Sequence, residues 1–300
     1  MCIQQLSRKG NCMEISKYSE KLISVLGNLG LSDKEVKHRC KNLIHAESEP
    51  SCINVVGERY FSLAHEIKSI AFLQQFWETR ISHDCSHKPG CDLILNDKYY
   101  IECVCASAGD VEKNGFEKYS FKSTRGEVVD YGEKKNILYS RLTTVIKEKR
   151  DFYEKHKGES IPTDKPYIIF VGLGSLAYEM FAETNGFALT AILFGRGNPT
   201  LTFDSSLEKA PEWGYSHNEV LIKWNGQTID CNIFCSPDYR CVSAILFSEA
   251  DLNDKYDATN TWLFINPNAS NKLVKKDFEG LVYWCASQDG KYFARKEGAS

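Results

Sequence analysis

The chain has 300 residues, 42% of them apolar and 26% charged, with a formal charge of −3. That length and apolar share are enough for a substantial core in one or two domains and exclude a largely disordered chain. The slightly acidic balance argues against broad nonspecific binding to duplex nucleic acid, which usually shows as an excess of lysine and arginine. Twelve cysteines without a secretory leader, a polar Met1 to Lys17 and the lack of any apolar stretch of membrane-spanning length predict a reducing, cytoplasmic setting with no membrane partner.

In chain order, two amphipathic helices are predicted over Tyr18 to Leu29 and Asp33 to His45, with Gly30 as the stop and Ser32 as the next cap. A third follows over Tyr60 to Leu73, where Leu63, Ile67, Ile70, Phe72 and Leu73 form a face suited to cover a sheet and Glu66 lies on or beside it. Leu93 to Leu95 and Tyr99 to Cys105 read as two strands joined by the turn residues Asn96, Asp97 and Lys98. Alternation in the second strand puts Tyr100, Glu102 and Val104 on one face. A carboxylate among apolar neighbours requires a metal ion, a lysine or a hydrogen-bond donor, because an unpartnered buried charge costs several kcal/mol or shifts its pKa. The competing placement has Glu102 facing solvent while Cys103 and Cys105 pack inward. Asp92, at the edge of the first strand, points toward the same spot as Glu102.

Ala106 to Lys135, rich in glycine and both charge signs, is expected to be a loop over the site. Asn136 to His156 reads as a helix with Leu138, Leu142, Val145 and Phe152 at helical spacing, and Lys149 fills the gap in that stripe and so faces inward. Such a lysine is either a snorkelling stem with its ammonium at the edge or a functional cation. Tyr167 to Val171 is a buried strand. It enters Gly172-Leu173-Gly174-Ser175-Leu176-Ala177, whose pattern could cradle a pyrophosphate but equally serves as a glycine turn leaving a sheet. The last third is mostly strand and loop: Val220 to Trp224 and Thr228 to Phe234 around Asn225-Gly226, then Val242 to Phe247 and Trp262 to Ile265. These strands either extend the main sheet or form a small attached layer. Trp213, Tyr215, Trp224 and Tyr239 could stack bases or simply pack. His83, Cys85, His87 and Cys91 are too tightly and irregularly spaced for a zinc knuckle, and Cys231, Cys235 and Cys241 too loosely.

Pro89-Gly90-Cys91-Asp92, nine residues, then Glu102, with Glu66 on a helix upstream, resembles the PD-(D/E)XK nuclease superfamily. The resemblance covers Glu58 to Val171. It departs from the motif at Val104, which occupies the place of the lysine. The resemblance implies a restriction-endonuclease-like α/β core, a mixed sheet flanked by helices, with N-terminal helices before it and a β-rich C-terminal extension. The corresponding division is 1–53, 54–180 and 181–300. It also implies Glu66, Asp92 and Glu102 as ligands of Mg2+ or Mn2+, with Glu58 as the fallback acid. Lys149 is the first choice for a relocated catalytic lysine and Lys147 the second, and Arg141 and Lys147 would bind the substrate, Arg141 through a phosphate contact. Three converging carboxylates would repel one another, and a hard cation would relieve that repulsion. The implied activity is phosphodiester hydrolysis, with DNA favoured over RNA and a homodimer compatible with the pattern. A microbial defence setting fits the family. The alternative is a nuclease-like fold without catalysis, acting as a nucleic-acid- or protein-binding module.

Overall fold

The computed structural model describes residues 17–48, 58–81, 90–106, 131–174, 176, 187–203, 212–222, 226–250, 254–288 and 293–296. Helix α1 (Lys17–Gly27) is followed by Gly30 at φ 66° and by α2 (Asp33–Glu47), where the Ser32 hydroxyl accepts a hydrogen bond from the Glu35 N–H. The stop and the cap are the ones expected from glycine's freedom at positive φ and serine's competence as an N-cap. Helix α3 (Glu58–Leu73) and strands β1 (Thr79–Ile81), β2 (Leu93–Leu95) and β3 (Tyr99–Cys105) come next. The β2–β3 hairpin turns through Asn96 and Asp97, at φ 49° and 52°. Two consecutive positive φ values suit a tight hairpin, and these two residue types tolerate them best after glycine.

Helix α4 (Tyr131–His156) begins five residues earlier than the sequence suggests, so Tyr131 to Lys135 are helical rather than loop. The remainder of the expected loop over the site, 107–130, lies outside the described residues. Strand β4 (Tyr167–Gly172) then runs through the middle of the sheet with every residue buried, the continuous apolar run of a strand covered on both faces. After it come α5 (Phe187–Phe194), the hairpin β5 (Arg196–Thr202) with β6 (Glu212–His217), and the hairpin β7 (Val220–Ile222) with β8 (Thr228–Asp230). The last four strands are β9 (Val242–Ser248), β10 (Thr261–Ile265), β11 (Tyr283–Ala286) and β12 (Phe293–Lys296). The β7–β8 pair is shorter than the sequence suggests, since Ile233 to Cys235 form a single 3-10 turn.

The architecture is α/β. One eight-stranded mixed sheet has the order β1-β2-β3-β4-β9-β10-β11-β12, and two small hairpin sheets stand beside it. β4 is parallel to both β3 and β9, while β1–β2–β3 and β9–β10 are antiparallel. The last third therefore supplies half of the main sheet. One face of that sheet packs against α1, α2 and α3 through Leu93, Tyr99, Ile101, Ile168, Phe170 and Leu246. The other packs against α4 and α5 through Tyr167, Ile169, Val171, Ile245, Phe247 and Phe264. Among the described residues no helix is long and apolar enough to cross a membrane.

Candidate active site: two carboxylates and a lysine

The alternation of β3 sends Tyr99, Ile101 and Cys103 toward α1–α3 and Tyr100, Glu102 and Val104 toward α4. Glu102 is 4% exposed, so the solvent-facing placement is not the observed one. On α4 the stripe of Leu138, Leu142 and Val145 is thickened by Tyr139, Ile146 and Tyr153, and together they bury that face of the helix against the sheet. Lys149 falls within this stripe, and its ammonium donates to Glu102 Oε1 at 2.6 Å. The Tyr167 hydroxyl on β4 donates to the Lys149 carbonyl at 3.0 Å, which fixes where α4 lies along the sheet and so where the ammonium can reach.

Asp92 precedes β2, and its Oδ2 accepts a hydrogen bond from the Cys103 N–H at 2.7 Å. Because Cys103 follows Glu102 in β3, this bond holds the aspartate beside the glutamate. Burial first, then the charge of Glu102 and that of Glu66, push the Asp92 carboxyl well above the usual carboxylate range, against the Cys103 N–H and the Lys149 charge. Burial alone would lower the Lys149 pKa, but its contact with Glu102 and the nearby Asp92 raise it overall, so the ammonium stays charged at neutral pH. The adjacent thiols are inert: burial, reinforced by neighbouring carboxylates, raises both Cys91 and Cys103.

Glu66 makes a different contact. Its Oε1 lies 2.7 Å from Arg39 Nη1, and Arg39 Nε also donates to Glu35 Oε1 at 2.8 Å, so an arginine of the helical preface bridges two carboxylates. Glu66 still acts on Asp92 through its charge. Among the described residues no group of three or more histidines, cysteines, aspartates or glutamates is gathered closely enough to hold a metal. Asp92, Glu102 and Lys149 are therefore brought together, while Glu66 is fastened to Arg39. Arg141 is half-buried and feels Glu58, at the start of α3. Lys147 is exposed. Two positions from Lys149, at about 100° per residue, it projects from a different side of α4.

Arg39, the Cys103 N–H and the Tyr167 hydroxyl are the contributors that the sequence does not announce. For Arg39 the one available signal is its spacing of four from Glu35, the ordinary spacing of an intrahelical ion pair.

The glycines at the end of β4 and just beyond it are accounted for by internal packing. A Cβ on Gly172 would lie 2.6 Å from His65 Nδ1, and one on Gly174, at φ 53°, would lie 2.8 Å from the Ala106 carbonyl oxygen. Their lack of side chains admits protein atoms where a phosphate would otherwise have to approach. Of the aromatic candidates, Tyr239 is buried beneath Arg150 and Tyr215 is exposed with Arg196 over its ring. The side chains of Trp213 and Trp224 lie outside the described residues, as do His83, Cys85 and His87. No protein-family profile, curated protein or solved structure matches this chain.

Proposed function

We propose that the chain is a metal-dependent nuclease with a restriction-endonuclease-like core, hydrolysing phosphodiester bonds at Asp92, Glu102 and Lys149. The observation that carries this reading is the 2.6 Å contact between Lys149 on α4 and the buried Glu102 on β3, with Asp92 tied to the next residue of that strand. Val104 occupies the position of the motif lysine, and α4 supplies a cation to the same carboxylate. From α3 to β4 the order is helix, three antiparallel strands, helix and strand, which supports this reading.

The donor set fits a hard divalent cation. Burial, with the charge of Glu102 beside it, raises the proton affinity of Asp92, positive charge relieves that strain, and magnesium commonly takes only one or two protein carboxylates, keeping water in its other positions. Asp92 and Glu102 would hold magnesium or manganese, with Glu66 adding negative potential from its place against Arg39. Such an ion, when bound, would withdraw charge from a phosphodiester and acidify water. The chain's own residues do the rest. The Cys103 N–H fixes the direction of Asp92. Lys149 holds Glu102 and places an ammonium, with 24% of its side chain exposed, where it can orient water and offset the charge gathering on the attacked phosphate.

One observation favours a module that does not cleave: Arg39 engages Glu66, so two carboxylates converge instead of three. The full chain should be incubated with plasmid DNA, linear duplex, single-stranded DNA and RNA, each with Mg2+, Mn2+ or EDTA. Cleavage that needs the metal and disappears in Asp92→Asn and Lys149→Met supports the nuclease. Intact nucleic acid under every condition, with the chain folded, supports the module.

A further inference from the structure

On the opposite side of the sheet from Lys149, α1 and α3 part to leave a cavity of about 340 Å3, closed at one end by Asp254, Lys255 and Tyr256. Small-molecule sites fall in the range of roughly 300–1,000 Å3, so this one could hold a ligand of modest size. Its floor is apolar: Leu22 and Val25 from α1, Ala71 and Phe72 from α3, and the ring of Tyr256. Among the described residues its rim is cationic, with Lys21, Lys68 and Lys255 beside the carboxylate of Asp254. That local sign is opposite to the net charge of the whole chain, −3.

The wall is fixed in place before any ligand arrives. His65 Nε2 lies 2.9 Å from the Phe170 carbonyl oxygen, which can only accept, so Nε2 carries the proton. Nδ1 is then the acceptor for the Tyr256 hydroxyl at 2.6 Å. Tyr256 is thereby tied to the central strand β4, and the Phe170 ring packs edge-on to both His65 and Phe72. Lys68 stands 5.4 Å from the centre of the Tyr256 ring, which places an ammonium at the mouth beside an aromatic surface.

We propose that this cavity binds a small organic anion, an aromatic body carrying one acidic group. The ring enters between α1 and α3 against Phe72 and Tyr256, and the acid meets the exposed Lys21 and Lys255 at the rim. The apolar floor supplies most of the affinity through burial, and the ammonium groups select an anion over a neutral compound of the same shape. The site stands independently of the nuclease reading, because none of its lining residues takes part in the Asp92–Glu102–Lys149 contacts.

The test uses the full-length chain and 8-anilinonaphthalene-1-sulfonate, whose fluorescence rises on entering an apolar site. Saturable binding of one dye per chain is expected. Phenyl phosphate and phenylacetate should displace it, whereas inorganic phosphate and benzyl alcohol, which lack the ring or the charge, should not. Ala71→Trp fills the cavity and should abolish binding. Lys21→Glu combined with Lys255→Glu changes two exposed side chains and should weaken it at least tenfold, with the circular dichroism spectrum unchanged in both variants. Absence of dye binding, affinity unaltered by the charge reversal, or displacement by inorganic phosphate as effective as by phenyl phosphate overturns the proposal.

Discussion

Replacing Lys149 by methionine keeps most of the aliphatic stem on the α4 stripe and removes the ammonium that faces Glu102. Breaking a buried ion pair by deleting one member costs about 3–5 kcal/mol, because the other charge stays in a low-dielectric setting. Here the glutamate side chain is 5% exposed and the lysine 24%, so water already shares part of the lysine's charge. The lower end of that range is therefore expected, about 3 kcal/mol at neutral pH. Glu102→Gln, placed in the Lys149→Met background, removes the charge that lost its counterpart and should recover much of that cost. The four proteins of this double-mutant cycle should be compared by urea denaturation at pH 7, where a coupling of about 1–3 kcal/mol is expected for residues in direct contact. A Lys149→Met variant within about 0.5 kcal/mol of the parent would behave as a solvated surface substitution does, and the inward-facing contact would then be refuted.

Arg39→Met should destabilise the chain by about 3 kcal/mol, since it removes the guanidinium that contacts both Glu35 and Glu66 at a site 10% exposed; adding Glu66→Gln should recover part of the loss in the same urea assay. Gly172→Ala sets a Cβ 2.6 Å from a histidine ring pinned by two hydrogen bonds, and should cost about 1–3 kcal/mol, read as a lower urea midpoint. Burial lowers the His65 pKa to about 4, with Lys68 and Lys149 adding to the effect, so the unfolded chain binds the proton first, near pH 6.5. Stability should be retained above that value and lost as pH falls toward 4. At 1.36 kcal/mol per pH unit the loss between pH 7 and pH 5 is about 2 kcal/mol. A His65→Gln variant should show a shallower slope across that window, and an equal slope would assign the effect to other groups.

The hairpin that carries Asp92 and Glu102 is legible because its signals are local. Asn96 and Asp97 favour the turn, β3 alternates with period two, and the position of Lys149 follows from a gap in a helical stripe. These patterns locate a side chain on a face of its own element, and the faces of β3 and α4 then meet because they are the ones that need burying. Glu66 shows where such reasoning stops. Periodicity places it beside the sheet-facing stripe of α3, but its partner is an arginine from α2, and whether this glutamate turns to Arg39 or toward the hairpin carboxylates is decided by the packing of separate helices. Helix α5, Phe-Ala-Leu-Thr-Ala-Ile-Leu-Phe, leaves no periodic mark in the sequence because it is apolar all round and so carries no 3.6-residue period. Strand β5 contains glycine and proline and is largely open to solvent, and β6 contains glycine, so no alternating pattern marks them either. Lys147 lies in the same dense basic stretch as Lys149. Only its phase along α4 separates the two, and that phase leaves Lys147 exposed.

The claim on which the functional reading depends is that Asp92 and Glu102 form one cation site. Calorimetric titration of Mn2+ into the full chain, and into Asp92→Ala and Glu102→Gln, measures this directly. One Mn2+ bound per chain, with the heat abolished in Asp92→Ala and strongly reduced in Glu102→Gln, is the expected result. No binding by the parent chain, or binding undiminished in Asp92→Ala, would contradict it.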